Sequence, residues 1–373
     1  MRTESSRVLA IFAAVLLLAA ASGDVAFFEG QKNGKVQGFE KIDPAMFRAG
    51  PRKSKFYTEV WFHEMQFADQ GLIVIVNIQM HNMGLGSGYC EAGISVSDPE
   101  GNYFYEYDSL TSKDVKIDPV GFGLTMGPHR VELVGDKYYV KYQGAKIKAE
   151  LVYRIKTGSF QQGNATVTFK QSGDWVMHNF PIPWAEISGA VTYNGKTLQL
   201  KGQGSMNHDR QVLSPTRYMS DWRAVWAYTP EATVSIVRAS APDLQGKWSQ
   251  RLMVAEPGKI LYSSNNYSFQ NLDYKPVPGF KVPCAMRYRV ESIEGQDWLK
   301  GEIRVTRIQE KRNVLSDYPA WFRALAKVVV SDTLSYRFWC DFDFEFKLDG
   351  KTRAIRGTGT GNFVSSVKNA PNP

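Results

Sequence analysis

Apolar residues in this chain recur mostly with a period of two. Tyr57, Glu59, Trp61, His63 and Met65 share one parity, and Ile147, Ala149, Leu151, Tyr153 and Ile155 alternate with polar residues. Successive side chains of a strand point to opposite faces, so each set marks one face of a sheet. Residues 72–76, Leu-Ile-Val-Ile-Val, are apolar without a break before the pattern turns alternating through His81. Such a run suits a strand covered on both sides or rolled into a barrel wall. Shorter strands are predicted over 103–107 and 138–142.

Turn chemistry separates these runs. Asp98-Pro99-Glu100-Gly101-Asn102 combines a Pro that presets one dihedral with a Gly that accepts a positive one. Asn194-Gly195 and Asp349-Gly350 lie between alternating runs, the strongest short-range hairpin signal. Strands about ten residues apart with turns between them argue for a sandwich or barrel. One segment departs from this pattern: Phe322, Leu325, Ala326 and Val329 recur at helical spacing, predicting a short helix over 316–329. A polar stretch at 171–174 and the stiff Pro181-Ile182-Pro183 mark the expected break between halves. The division predicted is 1–23 as a leader, 24–175 as a first barrel and 176–373 as a second.

The leader changes the picture of where the protein works. Residues 8–21 are apolar, follow Arg2 and Arg7, and end in small residues. At about 14 residues the run is shorter than the ~20 needed to span a bilayer, and it reads as a secretory signal. Export to a periplasm or the extracellular space is therefore expected. The 373 residues carry a formal charge of +8, with basic residues scattered rather than clustered. That distribution argues against nucleic acid as a partner and suits either peripheral contact with an anionic membrane or charge that serves solubility alone. Of Cys90, Cys284 and Cys340, the last two are the better disulfide pair; three buried thiols is the competing reading.

Local motifs for chemistry are sparse. No two of His63, His81, His129, His178 and His208 stand at metal-ligand spacing, so neither a metal nor a cofactor is expected. Gly202-Gln203-Gly204 lacks the third glycine and the following helix of a dinucleotide site. The densest polar cluster is His208-Asp209-Arg210-Gln211, followed by Trp222, Trp226 and Tyr228 on one parity. A polar knot beside an aromatic wall suits a ligand pocket. It also suits acid–base chemistry with His208 as base, or a buried network that closes a barrel. In a strand, Asp209 would point away from His208.

The order of segments in the second half resembles a known superfamily. Ile187-Ser188-Gly189, Gly202-Gln203-Gly204, His208, Gln211, Pro215, Trp222 and Tyr228-Thr229-Pro230 are similar to the lipocalin-like superfamily. That superfamily contains hydroxyneurosporene synthase-type carotenoid hydratases and fungal survival-factor proteins, and the survival-factor branch resembles this chain more closely. The tail from Leu315 to Pro319, the strand from Ser335 to Phe344, Gly350 and Gly361-Asn362-Phe363-Val364-Ser365 continue the likeness, and residues 56–62 resemble the opening strand of the first domain. The resemblance covers nearly all of the chain after the leader. It implies an all-β fold of two lipocalin-like, calycin-type antiparallel barrels packed together, and a hydrophobic ligand that is sphingolipid-like or isoprenoid-like. The hydratase branch carries Asp-His-x-Trp where this chain has Asn207-His208-Asp209-Arg210, so the expected carboxylate and Trp are missing from those slots.

The expectation is an exported protein that binds or transfers a lipid in a barrel pocket, with a hydratase or cyclase acting on an isoprenoid or polyketide as the alternative. His208, Gln211 and Trp222 are expected at the polar head of the ligand. Arg223 is placed there for an anionic group, and Trp226 and Trp61 supply wall. If the protein is an enzyme, His208 is the candidate catalytic residue.

Overall fold

The computed structural model describes residues 25–52, 54, 56–82, 89–213, 221–240, 249–275, 284–313 and 333–366. The leader and the helix expected over 316–329 lie outside the described residues. What is described is almost entirely strand, arranged as two barrel-like antiparallel sheets. In the first, neighbours run Tyr103–Thr111, Tyr89–Ser97, Leu72–Asn82, Tyr57–Phe67, Lys196–Val212, Asp174–Tyr193, Lys148–Ile155, Lys137–Gln143, His129–Val134, Phe122–Met126 and Val115–Ile117. Phe160–Phe169 pairs with the early part of Asp174–Tyr193 and carries Val25–Phe27 on its other side. The second sheet runs Ser268–Lys275, Cys284–Glu294, Asp297–Asn313, Thr333–Leu348, Lys351–Ser366, Asp221–Tyr228, Thr233–Ser240, Ser249–Glu256, Lys259–Ser264 and Gly34–Lys35. The fold is therefore the pair of lipocalin-like barrels expected.

The predicted faces are the observed ones. Tyr57, Trp61, His63 and Met65 point into the first barrel and are almost completely buried. Asn194 and Gly195 both adopt positive φ, at 48° and 73°, as a two-residue hairpin requires, and Asp349-Gly350 repeats this at 52° and 75°. The unbroken run at 72–76 also has its reason. Leu72, Val74 and Val76 enter the first core, while Ile73 and Ile75 pack on Trp339 of the second sheet.

The break placed at 175/176 does not separate the sheets. Asp174–Tyr193 and Lys196–Val212 are 20 and 17 residues long and both belong to the first sheet; the second begins its main run at Asp221. Pro181 and Pro183 fall where the register shifts, between Asn179, Ile182 and Ala185. They bend a long strand at positions where ladder donors are dispensable, rather than linking two domains. Gly34–Lys35 also crosses to the second sheet, although it lies in the first half of the sequence. Of the two readings of the cysteines, buried thiols hold for Cys90 and Cys340, both free and buried, so Cys340 forms no bridge.

Gly202 and Gly204 serve close packing. A Cβ on Gly204 would lie 2.3 Å from the Glu64 carbonyl oxygen, and one on Gly202 2.2 Å from that of Gln66. The strand Lys196–Val212 is thereby pressed against Tyr57–Phe67. Gly204→Ala should destabilise the protein by about 1–3 kcal/mol, the usual range for overpacking. Urea unfolding checks this, and an unchanged midpoint would show that the strands yield freely.

Candidate functional site

Among the described residues, the two barrels face each other through apolar clusters and a polar cleft. Trp184 of the first sheet meets Ala224, Trp226, Tyr228 and Val237 of the second; Ile73, Ile75 and Trp339 form another contact; Phe160 and Phe180 meet Met253, Ala255 and Ile260 in a third. Gln309 fastens the sheets further, its amide donating to the carbonyls of Gly71 (2.8 Å) and Asp98 (2.9 Å), at the turn predicted from Pro99 and Gly101.

The cleft has a volume of about 320 Å³, within the range typical of small-molecule sites. Its first wall is the even parity of Tyr57–Phe67, namely Thr58, Val60, Phe62 and Glu64, with Asn77 and Gln79 from the next strand. Asn207, Asp209, Gln211 and His178 continue that wall, and Trp222, Trp226, Arg337 and Asn362 of the second sheet stand opposite. Pleating alone explains the division. Residues on one side of these strands fill the first barrel, and those on the other side meet the second.

Glu64 is the most unusual group in the cleft. It is 3% exposed, and neither carboxyl oxygen has a hydrogen-bond partner. Burial pushes its pKa up to about 8, with Arg337 opposing and Glu310 adding to the rise. The nearby arginines are committed elsewhere. Arg337 donates to Glu310 (3.1 Å) and Ser95 (3.3 Å), and Arg312 Nε lies 3.1 Å from the other Glu310 oxygen. Ser97 also donates to Glu310 at 3.1 Å. Glu310 is thus ion-paired with two arginines, while burial keeps Glu64 a carboxylic acid that retains its proton at neutral pH.

Two further features complete the site. His178 Nδ1 donates to Asp209 Oδ1 at 3.1 Å, which leaves Nε2 as a proton acceptor oriented by a carboxylate. The side-chain oxygens of Asn77, Asn207 and Asn362 are buried in the cleft wall without partners, ready to accept from hydroxyl groups or water.

The expected site residues divide by parity. Gln211, Trp222 and Trp226 do line the cleft. His208 does not. It is fully buried inside the first barrel, with Nδ1 2.6 Å from the Met46 carbonyl, Nε2 2.8 Å from Glu59, and its ring stacked 4.5 Å from Trp61. Both nitrogens face oxygens, so neither is left to take a proton from a substrate. Trp61 shares that interior and donates to the Phe47 carbonyl at 3.0 Å. Arg223 points into the second barrel, where it lies 3.4 Å from Asp221 and over the rings of Phe269 and Phe363. The pocket expected inside a barrel is also displaced. Phe47, Trp61, Phe122, Tyr138 and Tyr153 pack the first barrel's interior, and the cleft lies between the barrels. Glu64, His178 and the three asparagines escaped the sequence reading. The signal was present at Glu64: it stands beside a run apolar on both parities, so its face is covered as well.

Fold and site together define a two-barrel lipocalin-like protein with a polar cleft between its barrels. Solved structures share this architecture. CghA in complex with Sch210972 aligns with a TM-score of 0.58 at 12% identity, over 89% of this chain and 98% of that one. An AttH candidate from Nitrosomonas europaea aligns at 0.56 and 11%, over 84% and 94%. Kievitone hydratase from Nectria haematococca aligns at 0.51 and 13%, over 92% and 97%. No protein-family model and no curated protein sequence matches the chain.

Proposed function

We propose that this protein is a hydratase- or cyclase-type enzyme that moves a proton to and from a hydrophobic isoprenoid or polyketide held between its barrels. The observation that carries the reading is Glu64, a buried carboxylic acid with no protein partner in a cleft walled by Trp222 and Trp226. A carrier has no use for such a group, whereas a general acid needs a pKa near the working pH. The named hydratase among the structures of similar fold favours this side of the resemblance over the survival-factor side.

In a hydration, Glu64 gives its proton to one alkene carbon. The positive charge that develops on the other carbon is stabilised by the indole faces. A water held by the asparagine oxygens adds there, and His178 Nε2 takes the proton that this water loses. His178 then gives that proton to solvent and solvent returns one to Glu64, so one water has been added and both groups are restored. In a cyclisation a second double bond captures the same cation, His178 Nε2 takes a proton from the carbon beside the new cation to leave an alkene, and solvent carries that proton back to Glu64. The leader makes work outside the cytoplasm part of the proposal, with the scattered positive charge favouring an anionic membrane surface as the source of a hydrophobic substrate.

The test is incubation of the mature protein in D2O with a hydrophobic extract of its host, followed by mass spectrometry. A product carrying deuterium on carbon should form with wild type and not with Glu64→Gln. An extracted compound that stays bound unchanged in both would return the protein to the class of lipid carriers.

A further inference from the structure

His178 and Trp222 are walls of a second chamber as well as of the cleft. This chamber is small, about 20 Å³, and is otherwise enclosed mainly by Phe28, Phe180, Val237 and Ala239. A space of that size admits one water or one oxygen atom and no ring.

Arg251 forms its floor. It lies on Ser249–Glu256, on the face turned toward the first sheet, and is 4% exposed. Its guanidinium covers the Phe180 ring, and Nη2 donates to Ser235 at 3.3 Å. Nε and Nη1 have no partner, and among the described residues no carboxylate lies within ion-pair distance of it. Asp209, whose charge acts on it most, is engaged by His178. Burial brings the guanidinium down to about 9, so it remains a cation at neutral pH. Opposite it stands Gln162, 1% exposed, whose amide donates to the Gln250 carbonyl at 3.3 Å while Oε1 has no partner. A buried, unpaired cation is among the least favourable features a fold can carry. Here it sits beside a lone acceptor in an oxygen-sized hole adjoining the cleft.

We infer that Arg251 anchors an acidic oxygen of the substrate, a carboxylate or an enolate, at the inner end of the cleft. The inference rests on the reading of the cleft as a substrate site and adds the class of substrate. The body of the molecule lies against Trp222 and Trp226, and its charged oxygen enters the small chamber. Gln162 Oε1 accepts from a hydroxyl or N–H next to that oxygen. A planar guanidinium suits this task because its donors are fixed in direction. A neutral analogue leaves the cation unpaired and is rejected.

Calorimetric titration with 2-naphthoate and with its neutral methyl ester, at neutral pH, tests the anchor in the wild-type protein without any variant. The acid should bind at least about tenfold more tightly than the ester, as expected for a charge-assisted contact. Arg251→Met should abolish that preference, and Arg251→Lys should restore part of it. Trp222→Ala should weaken both probes alike. Equal binding of acid and ester by wild type, with the Trp222→Ala loss intact, overturns the anchor and leaves the cleft standing. So does a preference that survives in Arg251→Met. Failure of both probes to bind overturns the cleft as a substrate site and the anchor with it.

Discussion

Glu64→Gln should lower turnover by about 100-fold or more and at the same time make the protein more stable. The loss follows from removing a positioned proton donor, whose usual contribution is about 10²–10⁴-fold. The gain follows from linkage. The Glu64 pKa is raised from its ordinary value of 4.5 to about 8 in the folded state. Below the unfolded value both states hold the proton, and the group adds no pH dependence. Between the two values the unfolded chain releases its proton while the folded one keeps it, so stability falls by ~1.4 kcal/mol per pH unit. Above the folded value the penalty is complete, on the order of several kcal/mol. Glutamine has the same shape and carries no such penalty. Wild type should therefore lose melting temperature between about pH 5 and pH 8, and Glu64→Gln should lose much less. Melting curves that fall in parallel would show that Glu64 is not buried as a neutral acid. Opposite movement of activity and stability is the mark of a group kept for function.

The second large effect concerns the closure of the first barrel. Glu59 is fully buried and accepts from Gly50 N–H (2.9 Å), Tyr57 OH (3.0 Å), His208 Nε2 (2.8 Å) and Arg210 Nε (2.9 Å). Burial pushes its carboxyl up, but His208, Arg210 and the Gly50 amide together outweigh this and hold it below 4.5. Glu59→Ala removes the shared acceptor and leaves His208 and Arg210 without it. The expected loss is about 3–5 kcal/mol, as for other broken buried ion pairs. The sign of the pH effect is opposite to that of Glu64. This stability is complete above the unfolded carboxylate value and is lost as pH falls through the folded one, so wild type should unfold in acid. Urea titrations at falling pH would show this, and Glu59→Gln should flatten the acid limb. His208→Ala should cost stability rather than turnover. A selective loss of turnover would return His208 to the catalytic site.

Most of the fold was readable because pleating and turn chemistry are local. The odd residues from Tyr57 to Met65, Asn194-Gly195 and Asp349-Gly350 each behave as their neighbours dictate. The domain break was misread because Pro181 and Pro183 look like a linker, and only the pairing partners on both sides reveal a bent strand. The site was half readable for a similar reason. His208 and Asp209 are adjacent in sequence, yet one faces the barrel and the other the cleft; Trp222 and Arg223 divide in the same way. Alternation predicts such a split but not which side holds the ligand. That depends on how the two sheets meet, through contacts such as Ile73 on Trp339. Glu64, Arg337 and Glu310 come from distant strands and become a unit only there.

The crossing of Gly34–Lys35 to the second sheet bears on how the chain reaches this state. These residues pair with Tyr262 and Ser263, and Lys35 reaches Asp349 at 2.6 Å across 314 positions of sequence. The outer edge of Lys259–Ser264 is therefore covered by a segment that lies far ahead of it in the chain. A nascent chain must hold that earlier piece unpaired until Tyr262 and Ser263 have been made, and so long a separation raises the contact order and slows folding. The halves are consequently not modular. An excised 221–366 would present a bare strand edge, open to pairing with a second copy of itself.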